Sequence, residues 1–261
     1  MYLQLIKRLQ STILKLSPVL SLVLIVCLWL FVSEGGLIPA YMLPSPAEVI
    51  KAFFTDFPVI MKHAYVTLQE ALYGLFAGTV LGFLLSVLMD RFSFLYKALY
   101  PVLVITQTIP TIAIAPLLVL WMGFSLAPKI TLVIITTFFP ITVSLLDGFK
   151  SADSDAVRLL KSMGASRREI FRHIKLPSAL PSFFSGLKVS ASYAVVGAVI
   201  AEWLGGFEGL GVYMTRVKKA YAFDKMFAVI IFICLVSLLL MSAVTLASKI
   251  SMPWNNKERS D

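Results

Sequence analysis

The chain has 261 residues, 59% hydrophobic and 14% charged, with mean hydropathy +0.88 and a formal net charge of +9. A soluble fold of this size cannot hide so much apolar surface, which excludes a soluble enzyme and makes a polytopic membrane protein the default. The cations gather between apolar runs rather than along one stripe, so they signal membrane topology and not nucleic-acid binding.

A spanning helix needs roughly 20 mostly apolar residues. Six segments qualify: 16–32, 64–89, 98–122, 130–146, 182–201 and 226–248. Lys7, Arg8 and Lys15 precede the first run like the head of a signal peptide. No small-x-small cleavage site follows, so the first span reads as retained. Next comes the breaker cluster Leu43-Pro44-Ser45-Pro46, and 47–57 reads as a short helix at the outer surface. Gly74, Gly78 and Gly82 recur every fourth residue on one face of the second span. Such a stripe admits a close helix neighbour, either within the subunit or across a subunit interface. The stretch 98–128 carries no charge but holds Pro101, Pro110 and Pro116, which predicts a long, kinked or broken helix. Near that break, Gln107, Thr108 and Thr111 either satisfy freed backbone groups or line a cavity.

With the N-terminus inside, 16 of the 23 Lys and Arg fall in inner segments, so both termini and the 148–181 loop are expected in the cytoplasm. Cys27 and Cys234 lie in apolar runs and read neither as a disulfide nor as metal ligands. Intramembrane charge is costly, so each instance counts. Glu70 reads as an interfacial carboxylate reaching water, Asp147 as interfacial, and Lys188 as snorkelling inward. Glu202 closes the fifth span beside Trp203 and is either a gate or substrate contact or an outer-leaflet anchor. Tyr193 joins the pathway candidates.

The 151–177 loop is unusually structured. Asp153, Ser154 and Asp155 open a helix that puts Ala156, Leu160 and Met163 on one face, and Gly164 stops it. Ala165 follows, and Ser166 with Glu169 forms a capping box that starts a second helix. Ile170, Phe171 and Ile174 give that helix an exposed apolar strip among Arg167, Arg168, Arg172 and Lys175, and Pro177 ends it after Leu176. Such a strip lies on an anionic leaflet or docks in a groove on a cytosolic partner.

The spacing Gly164, nine residues, then Ile174-x-Leu176-Pro177 resembles the Glu-Ala-Ala loop of permease subunits of bacterial ABC importers. Arg158-Leu159-Leu160 stands where that family usually has Glu-Ala-Ala, so its carboxylate is absent, but the helix-bend-helix shape does not depend on it. Leu43-Pro44-Ser45-Pro46, Gln107-Thr108-Ile109-Pro110 through Gly123-Phe124, and Ala201-Glu202-Trp203-Leu204-Gly205 through Gly209-Leu210-Gly211 resemble the nitrate/sulfonate/taurine-type permeases. That group includes permeases for hydroxymethylpyrimidine, a thiamine precursor. The resemblance runs from Leu43 to the last span.

It implies an all-α, type I ABC importer-like permease of about six transmembrane helices. One domain would cover 1–261, with 151–177 as the coupling loop. It implies a multi-pass protein of the bacterial plasma membrane that pairs with a second copy, cytosolic ABC ATPase subunits and an extracytoplasmic substrate-binding protein. The chain has no Gly-x-x-x-x-Gly-Lys frame around Lys150-Ser151, so it is not the ATPase: it binds no cofactor, and ATP and magnesium belong to the partner. In this reading Leu160, Met163, Gly164, Ala165, Ser166, Glu169, Ile170, Phe171, Ile174, Leu176 and Pro177 couple to the ATPase. The spans lack a buried Arg, which favours a pyrimidine or other thiamine precursor over an aliphatic sulfonate, taurine or nitrate. A secondary transporter or channel is the rival class, and it needs no ordered cytoplasmic loop.

Overall fold

The computed structural model describes residues 2–39 and 41–253, with side chains from residue 16 onward. Of the cations counted for orientation, the side chains of Lys7, Arg8 and Lys15 and the whole of Lys257 and Arg259 lie outside the described residues. The elements are α1 (Tyr2–Glu34), α2 (Pro46–Thr55), α3 (Phe57–Arg91), α4 (Ser93–Thr108), α5 (Thr111–Met122), α6 (Leu126–Lys150), α7 (Ser154–Ser162), α8 (Arg167–Ile170), a π turn (Phe171–Lys175), α9 (Leu176–Gly205), α10 (Leu210–Lys219) and α11 (Phe223–Ser251). No strand occurs among the described residues.

Among the described residues, five stretches are long and apolar enough to cross a membrane: Leu16–Glu34, Phe57–Arg91, Leu126–Lys150, Arg167–Gly205 and Phe223–Ser251. The pair α4 and α5 passes the same test only when taken together, and it is bent by 99°. The cause of the bend is local. Ile109 precedes Pro110 and is held extended at φ −81° and ψ 121°, so α4 stops and α5 restarts after the proline.

The chain forms two compact units. The first comprises 1–60 and 216–231. In it the Trp29 indole N–H donates to the Pro44 carbonyl at 3.0 Å, and its ring stacks on Phe227. Ser45 and Glu48 make a reciprocal capping box that starts α2, and Lys225 pairs with Asp56 at 2.8 Å.

The second unit comprises 61–215 and 232–261. Here α6 and α9 pack closely through small residues. A Cβ on Gly148 would press on Ala179 and Ser182, and one on Gly186 would press on Ser144 and the Pro140 carbonyl. The Gly74, Gly78 and Gly82 stripe of α3 lies against α6 of the same chain, facing Val133, Thr137 and Phe138 with Thr142. Hydroxyls reinforce these seams. Ser86 donates to the Thr142 carbonyl at 3.2 Å, and Ser190 donates to the Thr137 carbonyl at 2.7 Å.

Gly78 leaves no room for a side chain, because a Cβ there would overlap the Thr137 hydroxyl. Gly78→Val should therefore cost about 1–3 kcal/mol by overpacking. A thermal-stability assay in detergent reads this as a lowered midpoint, whereas Val80→Leu, on an exposed position of the same helix, should leave it unchanged. Equal midpoints for the two variants would mean that the α3–α6 seam is not tightly packed at Gly78.

Candidate functional site

The 151–177 segment is built by three local devices. Asp153 caps α7 by accepting from the Asp155 N–H at 2.9 Å. Gly164, at φ +86°, closes α7 in a Schellman arrangement: its N–H donates to Lys161, and that of Ala165 to Leu160, both at 3.0 Å. Ser166 then starts the next helix through its box with Glu169; the Ser166 N–H donates to the Glu169 carboxylate at 2.6 Å.

Beyond this box the chain departs from the sequence expectation in two ways. Pro177 does not end a helix. It sits in the first turn of α9, and α8, the π turn and α9 run on as one rod from Arg167 to Gly205. A proline in a helix lacks an N–H and its ring crowds the carbonyl four residues back. The π turn widens the helix just before it: the Leu176 N–H reaches back five residues to the Phe171 carbonyl, and the rod passes Pro177 unbroken.

The apolar strip is also not presented outward. Ile170 is buried, while Phe171, Ile174 and Leu176 are half-buried; Phe171 packs on Phe149 with ring centroids 5.3 Å apart. Lys175 is drawn onto Asp90 of α3 at 2.6 Å. The strip seats the rod on its own bundle, and the exposed apolar groups are Leu159 and Met163 at 62% and 72% exposure, one turn apart on α7. Leu160 is half-buried.

At the other end of the rod lies a buried polar cluster. Three consecutive backbone N–H groups open α10. Gly209 donates to His63 Nδ1 at 3.0 Å, Leu210 to the Thr67 hydroxyl at 2.8 Å, and Gly211 to Glu202 Oε2 at 2.6 Å. Thr67 donates its own hydroxyl proton to Glu202 Oε1 at 2.7 Å. The first N–H groups of a helix have no internal partner and attract an anion, and a carboxylate placed there answers both needs. Gly209, at φ +125°, leaves the space that the Glu202 carboxyl fills. Beside it, Glu70 pairs with Lys129 at 2.7 Å, both enclosed. The Oε2 of Glu70 has no hydrogen-bond donor among the described residues.

Glu70 is therefore no interfacial carboxylate; it is fully buried. Glu202 too is enclosed on the single chain, with both oxygens hydrogen-bonded. The other pathway candidates lie apart from it: Gln107 and Thr108 are exposed at the α4–α5 break, Thr111 is half-buried there, and Tyr193 is exposed on α9. Sequence reasoning missed Thr67, His63 and Lys129. A lysine directly after Pro128 and before the apolar run of α6 was the one available signal.

Removing one member of a buried ion pair leaves the other charge uncompensated, at about 3–5 kcal/mol. Lys129→Met should sharply lower thermal stability in detergent, and Lys129→Met combined with Glu70→Met should recover most of it. A double variant no better than the single one would show that the pair is not the unit.

Residues 75–250 match the family described as binding-protein-dependent transport system inner membrane component. The formylaminopyrimidine transport permease ThiX of Halalkalibacterium halodurans is 37% identical over 93% of this chain and 97% of its own length. The putative aliphatic sulfonates transport permease SsuC of Bacillus subtilis is 26% identical over 89% of this chain and 85% of its own. Among solved structures, a chain of the inward-facing MetNI methionine ABC transporter superposes with a TM-score of 0.67 at 18% identity, covering 75% of this chain and 97% of that one. The all-α architecture with its apolar crossings is thus the type I ABC importer-like permease fold, and the chain belongs to the inner-membrane component family of binding-protein-dependent transport systems, as the permease subunit of an ABC importer.

Proposed function

We propose that two copies of this chain, each acting as one permease domain, enclose a path for a small nitrogen heterocycle of the formylaminopyrimidine kind. The observation that carries the path is the α4–α5 break. Gln107, Thr108, Ile109 and Pro110 are all exposed on the single chain, in the middle of a stretch with no charged residue. Irregular backbone at membrane depth is tolerated only where protein covers it or where it lines a water-filled cavity. A second copy and an aqueous path supply both. The exposed face of α9 formed by Val189, Tyr193 and Val196, at helical spacing, offers the second copy an apolar and aromatic surface.

The substrate reading rests on the higher identity to the formylaminopyrimidine permease than to the sulfonate permease, 37% against 26%. The chemistry agrees with it: amide, hydroxyl and phenol groups suit a neutral heterocycle, and 98–128 offers no cation to an anionic sulfonate. Cells that depend on this permease with its binding protein and ATPase should accumulate labelled formylaminopyrimidine, and excess taurine should not compete. Tyr193→Ala should cut uptake by about tenfold, the scale of one lost stacking or hydrogen-bond contact. Uptake of an aliphatic sulfonate without the pyrimidine would reverse the assignment.

ATP and magnesium act on a separate ATPase, and this chain holds no cofactor. The α7 tip, Leu159 and Met163, is the docking knob, with the Gly164 bend and the Ser166–Glu169 box holding it rigid. Burying a large apolar side chain contributes about 1.5–3 kcal/mol. Leu159→Asp with Met163→Asp should therefore reduce ATPase co-purification more than tenfold at unchanged membrane levels, whereas Phe171→Ala should instead lower permease stability. Wild-type ATPase yield from the double variant would refute the docking knob.

The coupling segment faces the cytoplasm in this reading. After Cys27 and Cys234 are replaced, a cysteine at Ser166 should resist an impermeant thiol reagent in intact cells, and one at Ser45 should react. The reverse pattern would invert the topology.

A further inference from the structure

One cavity of about 470 Å³ lies between the end of α3, the α7 helix and the start of the rod. Its wall carries Arg91, Lys161, Arg167, Arg168 and Lys175 against a single acid, Asp90. Asp90 is already paired with Lys175. Among the described residues, none of the other four has a carboxylate within ion-pair distance. The concentration of like charge is a standing cost unless an anion enters. The remaining wall is apolar, made by Val87, Val157, Ile170 and Phe171.

Arg91, on the cavity wall, is the last residue of the apolar α3, and the exposed apolar Phe92 and Phe94 follow it. The end of an apolar span lies at the headgroup level, where basic residues meet anionic lipid. Arginine pairs grip phosphate oxygens in a bidentate manner, and a soluble anion would have no use for the apolar wall. We propose that this cavity is a binding site for the phosphate headgroup of an anionic phospholipid of the inner leaflet, with its glycerol and upper acyl carbons against Val87 and Phe171. The site ties the base of the coupling segment to the membrane surface. It rests on the cytoplasmic orientation proposed above, which the cysteine labelling at Ser166 tests separately.

The test uses the permease with its ATPase, reconstituted in nanodiscs of phosphatidylcholine containing phosphatidylglycerol, with retained lipid counted by native mass spectrometry. The wild type should retain phosphatidylglycerol in preference to phosphatidylcholine. Each basic residue near an anionic surface contributes about fivefold, so Arg167→Gln with Arg168→Gln should weaken retention about thirtyfold. Arg167→Lys with Arg168→Lys should keep most of it. Arg158→Gln is the control: Arg158 is exposed, lies outside the cavity and faces Asp155 at 3.7 Å, and its loss should change nothing. Three results would each overturn the proposal. One is an equal loss in Arg158→Gln, meaning that net charge alone matters. Another is displacement of the lipid by inorganic phosphate, meaning a free-anion site. The third is loss of the ATPase from the Arg167→Gln and Arg168→Gln variant in pure phosphatidylcholine discs, meaning that the cations face the partner protein.

Discussion

The carboxylate of Glu202 organises one end of the second unit. It accepts from the Gly211 N–H and the Thr67 hydroxyl, and Thr67 accepts in turn from the Leu210 N–H. One side chain from α9 thereby joins α3 and the start of α10. Buried in protein, these N–H groups have no water to turn to, and each unsatisfied one would cost about 1–3 kcal/mol. The cap is therefore a condition for α10 to begin where it does. The Glu70–Lys129 pair beside it adds α6 to the same knot. A buried ion pair adds little net stability over an apolar substitute, but it accepts one geometry only. These contacts fix position more than they add strength.

The opposite end of the same rod carries the segment to which coupling is assigned in the proposed function. Arg167 to Gly205 is continuous helix, about 58 Å at 1.5 Å per residue. The Ser166–Glu169 box stands at its start and Glu202 near its finish. Along its length it is locked to α6 by close small-residue contacts, among them Gly148 with Ala179 and Gly186 with Ser144. In the coupling proposed here, displacement of the α7 tip reaches the Glu202 knot by rigid rotation, which is how packed bundles switch between arrangements.

Local signals in the sequence were legible because they act over three or four residues. The Gly164 stop, the Ser166–Glu169 box and the Pro110 break each state their own geometry. The proline rule failed at Pro177 because it describes an α-helix, and the chain answered with a wider turn that no local pattern announces. The apolar strip of Ile170 and Phe171 was legible as a strip but not as to which partner it meets. Amphipathicity gives a face, and only the fold brings Phe149 to that face. The polar cluster was least legible. Glu70 and Lys129 lie 59 positions apart and Thr67 and Glu202 lie 135 apart, so a search for charge in spans finds the acids and not their partners.

The polar groups of this membrane domain therefore serve two distinct purposes, and burial separates them. Enclosed groups with every neighbour supplied by the chain, such as Thr67 and Glu202, hold helices in register. Gln107 and Tyr193 are left open on the single chain and make no such contact between helices. Position alone does not distinguish them, since both kinds sit in apolar segments. Exposure does, because an open polar group beside a broken helix is stable only against water, a solute or a second protein. In the proposed reading the substrate path runs along the α4–α5 break and the open face of α9, and Glu70 and Glu202 belong to the enclosed frame of the bundle.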